Sequence, residues 1–108
     1  MALKLNSEAK VVQMFPGVVR RTLNSGERTT LAEITLEVGA VVPSHSHPHE
    51  QIGYVSNGRV VFRIGDAQRE LSAGDSYLVP SNVPHEVTAL EHSVCIDVFS
   101  PVREEFLD

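Results

Sequence analysis

The sequence predicts an all-β protein built from short strands, and three observations support this fold class. Val, Ile and Thr recur along the whole chain, whereas helix-forming residues are concentrated in no segment. Turn-forming Gly, Asn, Asp and Pro residues divide the chain at short intervals, which is typical of a sandwich or barrel. From Thr30 onward, apolar and polar residues alternate as in a half-buried strand, whose inner face is predicted to contain Ala32, Ile34, Leu36 and Val38.

Length and composition limit the classes of protein to consider. The 108 residues suit one domain, residues 1–108. A net charge of -5 with scattered basic residues argues against a nucleic-acid partner. No segment approaches the ~20 apolar residues that cross a bilayer, and the charged first ten residues do not resemble a signal peptide. The single cysteine, Cys95, fits a reducing compartment. We therefore expect a cytoplasmic protein that contacts neither nucleic acid nor membrane.

The same alternation and turn signals place the remaining elements. Ser100 followed by Pro101 has the pattern of a helix N-cap and first helical residue, so a short C-terminal helix is predicted within 102–108. The predicted strands are 18–23, 30–38, 50–56, 59–64, 68–71, 76–79, 85–90 and 93–99.

Asn57-Gly58 lies between two apolar runs and predicts a two-residue hairpin. In that hairpin Gln51 pairs with Ile64, and the two share an inner face. The outer face then contains Ile52, Tyr54 and Val61, which are too apolar to remain in water. We expect this face to form the interface of a homodimer.

A cluster of histidines predicts a metal site. Residues two apart on an extended chain point the same way, so His45 and His47 share a face, and Gln51 keeps that parity. His85 begins a later strand and can close the site from across the barrel. Imidazole suits first-row divalent metals, so we predict one ion, with Ni, Zn, Mn, Fe and Cu all compatible. The neutral Gln leaves the full +2 charge for Lewis-acid chemistry or an anionic substrate.

Three other polar residues near this cluster are not predicted to be metal ligands. Glu50 has better ligand chemistry than Gln51 but the wrong parity. His49 follows Pro48, which can turn it outward, so we expect it at the surface or just outside the ligand shell. His92 is expected at the surface.

These residues resemble the two motifs of the cupin superfamily. The first motif is matched by Gly39, His45, His47 and Gly58, with Gln51 at the acidic position. In the second motif, Asn82 replaces the usual glycine and the closing Asn is missing, while the matching residues are Gly74, Pro80 and His85. The resemblance implies a double-stranded β-helix, the jelly-roll barrel of cupins.

Segments 45–51, 74–80 and 96–107 are similar to the small cupins of bacterial pectin and alginate breakdown. Those proteins convert 4,5-unsaturated uronates, the products of polysaccharide lyases, to a linear keto form. The resemblance implies a metal bound by three His and a Gln, and a small anionic sugar as substrate. It also implies catalytic roles for Asp97, Phe99 and Arg103, which match an Asp-x-Phe-x-x-x-Arg pattern.

The residues alone leave alternatives open. A buried carboxylate is costly, so Asp97 is either functional or paired in a structural salt bridge with Arg103 or Arg20. Without the pattern, Phe99 is an ordinary core residue and Arg103 a solvated charge. The chain could also be another metal cupin enzyme, such as a dioxygenase or a sugar isomerase, or a non-catalytic module that binds a small molecule.

Overall fold

The computed structural model describes residues 2–108, which form ten strands in two antiparallel sheets. The prediction of an all-β protein is confirmed, and the structure adds two strands that the sequence had not predicted, the first and the fourth. In chain order the strands are β1 (Val11–Phe15), β2 (Val18–Ser25), β3 (Thr30–Leu36), β4 (Val41–His45), β5 (Glu50–Asn57), β6 (Arg59–Ile64), β7 (Ala67–Ser72), β8 (Ser76–Val79), β9 (His85–Ala89) and β10 (Ser93–Ser100).

The two sheets enclose the hydrophobic core. The six-stranded sheet has the order β1-β2-β3-β10-β5-β8, and the four-stranded sheet has the order β4-β9-β6-β7. Leu36, Val55 and Phe99 of the first sheet are buried with Val60 and Phe62 of the second. Burying such side chains contributes about 1.5–3 kcal/mol each. No backbone ladder joins the two sheets within residues 2–108, so they do not close into a continuous barrel.

The predicted hairpin between β5 and β6 is wrong. β5 lies between β10 and β8, whereas β6 lies between β7 and β9 in the other sheet. A type I′ turn needs positive φ at both central residues, but only Gly58, at +86°, has it and Asn57 does not. The inner face was nevertheless predicted correctly for Gln51, Val55 and Phe62, because the alternation of side chains does not depend on which strand pairs with which.

The predicted C-terminal helix is also wrong. Ser100 is the last residue of β10, and the tail contains only a 3-10 turn at Glu104–Phe106. The buried Phe106 carbonyl accepts hydrogen bonds from Arg20 Nη1 and Thr22 Oγ1, both at 2.6 Å. These contacts with β2 satisfy the Phe106 carbonyl and hold the tail against that strand in place of a helix. No helix within residues 2–108 is long and apolar enough to cross a membrane.

β3 ends earlier than the alternation predicts. Its last residue is Leu36, and Val38, predicted on the inner face, is 71% exposed. The Ala40 N–H donates to the Glu37 carbonyl at 2.9 Å, and Gly39 has φ of +80°. The chain therefore turns at this point, and Val38 lies at the surface of the turn.

Candidate metal centre and active site

Three of the predicted ligands form a cluster that can hold a metal ion. His45 ends β4, His85 begins β9, and the two face each other where these strands pair. His47 lies in the loop that follows β4. One ring nitrogen from each of the three lies within 4.8 Å of the others. Strand pairing and the alternation of side chains thus bring together histidines that are 40 residues apart in sequence.

Backbone carbonyls fix the orientation of all three rings. A carbonyl only accepts, so an Nδ1 that is bonded to one carries the proton and leaves a lone pair on Nε2. Metal-ligating histidines commonly use such a bond on the other ring nitrogen. The three bonds are His45 Nδ1 to Pro43 O at 2.8 Å, His47 Nδ1 to His49 O at 3.0 Å, and His85 Nδ1 to Val83 O at 2.9 Å.

The buried nitrogens fit a bound metal. His85 Nε2 is buried and has no hydrogen-bond partner among the residues that the structure describes. Burial lowers the pKa of His85 to about 4, and burial followed by the Arg103 charge lowers the pKa of His47. Both rings are therefore neutral at pH 7 and offer lone pairs. An unpartnered buried lone pair is costly, and a divalent ion would satisfy it.

The Gln51 side chain completes this arrangement. Its Nε2 donates to Asp97 Oδ1 at 3.0 Å, which directs its Oε1 toward His47 Nε2 at 3.1 Å. Two lone pairs that face each other are repulsive unless a cation lies between or beside them, so Gln51 has the position expected of a fourth ligand. Glu50 is exposed on the opposite face, as its parity predicts.

Asp97 is deeply buried and forms no ion pair within residues 2–108. It is 4% exposed, and its Oδ1 accepts from Tyr77 Oη at 2.6 Å as well as from Gln51. Burial raises its pKa to about 6, although the two hydrogen bonds act in the opposite direction. The alternative of a structural salt bridge to Arg103 or Arg20 is wrong, since neither pair forms within residues 2–108.

Arg103 is largely buried rather than solvated. Its side chain is 11% exposed, and its guanidinium carbon lies 4.7 Å from the Phe99 ring centroid and 3.9 Å from that of Phe106. Its Nε donates to Glu105 Oε1 at 2.8 Å. The two Nη groups have no acceptor within the described part of the chain. They present a planar fork of donors, which suits a carboxylate.

The predicted site residues converge on one cavity between the sheets. His47 is buried directly beside it, with its ring centroid 4.9 Å from that of His85. The cavity also has an apolar wall, to which Phe106 and the ring of Tyr77 belong. The predicted residues that line it are His45, Gln51, His85, Asp97, Phe99 and Arg103.

The loop between β8 and β9 holds the histidine-rich loop in place. The Asn82 N–H donates to the His47 carbonyl at 2.8 Å, and Ser81 Oγ donates to the Pro48 carbonyl at 2.6 Å. Asn82 stands where the cupin motif has glycine, and its φ is +64°. Asn tolerates this left-handed conformation better than other side chains, which explains the replacement.

Three residues near the site differ from the predictions or were missed. His49 is buried, and its ring centroid lies 5.4 Å from that of His47. The predicted surface location is therefore wrong. The other predicted location, just outside the ligand shell, agrees with this position. Tyr77 and Phe106 were not predicted to take part. Their roles depend on contacts between distant segments, for which the sequence offers no local signal. His92 is exposed, as predicted.

Comparison with known proteins agrees with this architecture. The family model described as a cupin domain matches residues 32–99. This chain is a cupin. It is 32% identical to the pectin degradation protein KdgF of Dickeya dadantii (strain 3937) over 105 residues, which cover 95% of this chain and 96% of that protein.

This cupin is also similar to solved structures in its three-dimensional fold. The structure of KdgF from Halomonas sp. is 32% identical, with a TM-score of 0.93 and 99% of both chains covered. An RmlC-like cupin from Shewanella frigidimarina NCIMB 400 is 28% identical, also with a TM-score of 0.93, covering 99% of this chain and 96% of that one. The resemblance to pectin-degradation cupins is thereby confirmed.

Proposed function

We propose that this cupin converts 4,5-unsaturated uronate monosaccharides, the products of pectin or alginate lyases, to their linear keto form. The observation that carries the proposal is the position of Asp97, Phe99 and Arg103, which line the same cavity as three of the four candidate metal ligands. The similarity to KdgF over nearly the whole chain supports a pectin-derived substrate. The domain is proposed to comprise residues 1–108.

We infer that His45, His47 and His85 hold one divalent transition-metal ion, with Gln51 as the fourth ligand. When bound, such an ion supplies Lewis-acid polarisation of substrate oxygens. Because all four ligands are neutral, the full +2 charge remains available to an anionic sugar. Ni, Zn, Mn, Fe and Cu all suit this donor set.

The reaction is an isomerisation that moves one proton and needs no oxidant. Opening of the sugar ring leaves an enol with a double bond between C4 and C5. The enol hydroxyl loses its proton as the C5 carbonyl forms, and a proton is added at C4. Asp97 is the proposed acid–base group, because a carboxyl whose pKa is raised to about 6 can both take and give a proton near neutral pH.

Arg103 and Phe99 are proposed to place the substrate. The free Nη groups of Arg103 would hold the substrate carboxylate in a two-point contact. The Phe99 ring contacts both the guanidinium of Arg103 and the ring of His47, with centroids 5.7 Å apart in the second pair. It therefore shapes the space between the anion-binding fork and the metal ligands.

The proposal is tested with freshly lyase-generated unsaturated galacturonate, by following the ultraviolet absorbance of the C4=C5 bond. The metal-loaded protein is expected to remove the band much faster than the spontaneous reaction does, and a chelator is expected to abolish the acceleration. No acceleration by loaded protein would contradict the proposal. Oxygen uptake would then indicate a dioxygenase, and ligand binding without turnover a non-catalytic module.

We also propose a homodimer, although not through the face first predicted. Val61 belongs to the other sheet, so it cannot share a patch with Ile52 and Tyr54. Strand register instead places four apolar side chains in one outer row across β3, β10, β5 and β8, with Ile52 53% and Leu78 51% exposed. The row is Leu31, Val98, Ile52 and Leu78.

We expect light scattering at micromolar concentration to give the mass of a dimer for the wild type and of a monomer for Ile52→Glu. A charge in the middle of the row would have to be buried on association, which is costly. Val38→Glu is the control, because Val38 is exposed but lies outside the row. A monomeric wild type would rule the dimer out.

A further inference from the structure

The Tyr77 side chain crosses β5 to reach Asp97, and the β5 residue at the crossing point is a glycine. Asp97 on β10, Gly53 on β5 and Tyr77 on β8 are neighbours in register on the inner face of the six-stranded sheet. A Cβ atom on Gly53 would collide with the Tyr77 ring. Because Gly53 has none, the ring lies across β5, and its hydroxyl donates to Asp97 Oδ1 at 2.6 Å.

The opposite sheet holds the phenol ring from its other side. Phe62 of β6 stacks on Tyr77 with 4.1 Å between ring centroids and 28° between ring planes. The ring is therefore packed between the Gly53 backbone and an aromatic side chain. Burial, followed by the Asp97 charge, raises the pKa of Tyr77 well above its ordinary value, so the hydroxyl stays protonated and acts as a donor.

Tyr77 and Gln51 together distinguish the two oxygens of Asp97. Both of their hydrogen bonds go to Oδ1, and each partner is a donor at that atom. A proton on Oδ1 would face two other donated hydrogens, so a protonated Asp97 carries its proton on Oδ2. Within residues 2–108 no group donates to Oδ2, which leaves this atom free for the substrate.

We propose that Tyr77 is a positioning residue, seated over Gly53, that orients the Asp97 carboxyl so that Oδ2 exchanges the proton with the substrate. The inference rests on the proposed function, because it specifies which atom of Asp97 transfers the proton. In this proposal Tyr77 transfers no proton to the substrate. It acts through Asp97, and the absence of a side chain at Gly53 leaves room for the Tyr77 ring to reach Asp97.

Tyr77→Phe removes the hydroxyl and keeps the ring. We expect kcat for the unsaturated uronate to fall about 10- to 100-fold, because a misoriented catalytic group costs a factor of this order. KM and bound metal should stay near wild-type values, since neither the anion fork nor the ligands change. Tyr54→Phe is the matched control, because Tyr54 is exposed on the outer face of the same sheet. An unchanged kcat for Tyr77→Phe would overturn the proposal.

A double-mutant comparison separates positioning from a general structural effect. If Tyr77 acts through Asp97, then Tyr77→Phe should cost nothing further in the Asp97→Asn background, measured at high enzyme concentration. An equal loss in both backgrounds would contradict the proposal. Gly53→Ala, which displaces the same ring, provides a second variant with the same expected loss of kcat.

A crystal structure of metal-loaded Tyr77→Phe tests the orientation without turnover. The Asp97 carboxyl is expected to be rotated relative to the wild type once Oδ1 loses one donor. An unrotated carboxyl would overturn the inference. If the carboxyl rotates but wild-type protein does not act on the uronate, the orienting role stands and the proposed function fails.

Discussion

Replacing Asp97 with Asn is expected to lower kcat for the unsaturated uronate by about 10²- to 10⁴-fold, the usual contribution of a general acid or base. The substitution keeps the shape of the side chain. The Asn oxygen can still accept from Tyr77 and Gln51, while an amide nitrogen replaces the oxygen that is proposed to exchange the proton. The proposed metal ligands are unchanged, so the bound metal measured by elemental analysis should equal that of the wild type.

Asp66→Asn is the matched control for this experiment, because Asp66 is exposed and the charge change is the same. It should leave kcat, KM and metal content as they are. Wild-type activity in Asp97→Asn would remove the residue from the mechanism. A loss of bound metal in that variant would instead point to a structural role through Gln51.

The second large effect is expected from His85→Ala. Removing one of the three proposed histidine ligands should weaken metal binding by more than the 10- to 100-fold that is typical of losing a partner outside the ligand shell. Most of the bound metal should therefore be lost on dialysis, and turnover with it. The measurement is the metal-to-protein ratio by mass spectrometry, with circular dichroism to show that the sheets remain folded.

His92→Ala is the control for this variant, because His92 is exposed and follows the end of β9 opposite to His85. It should retain the wild-type ratio of metal to protein. Wild-type stoichiometry in His85→Ala, measured at limiting free metal, would exclude His85 as a ligand.

Local features of the fold could be predicted from the sequence, and pairings between strands could not. The bounds of β6 and β8 match the predicted ranges 59–64 and 76–79, because alternation and turn residues are properties of neighbouring positions. The Asn57-Gly58 hairpin failed because the choice of partner strand depends on the packing of both sheets. The pattern at Ser100 and Pro101 favoured a helix, but burial of Phe106 against β2 prevailed over this local preference.

The same distinction holds for the candidate site. The parity of His45, His47 and Gln51 is local, and it predicts that the three side chains point the same way. In the structure His45 lies on β4, His47 in the following loop and Gln51 on β5 of the other sheet, so the interior between the sheets, rather than one strand face, brings them together. The approach of Tyr77 to Asp97 depends on two strand registers, β10 with β5 and β5 with β8, which join segments far apart in the chain. No local pattern carries that information, and this is why Tyr77 was missed.

The candidate metal ligands and the candidate substrate-binding residues come mainly from different sheets, which favours evolutionary change. His45 and His85 belong to the four-stranded sheet, whereas Asp97 and the residues after it extend from the six-stranded one. Substitutions along β10 and the tail can therefore alter substrate preference while the pairing of β4 with β9 keeps His45 and His85 in place. Within the described residues, the two sets meet where Gln51 bonds to Asp97 and where Phe99 packs against the His47 ring. Such modularity gives a physical reason why one scaffold can host different reactions.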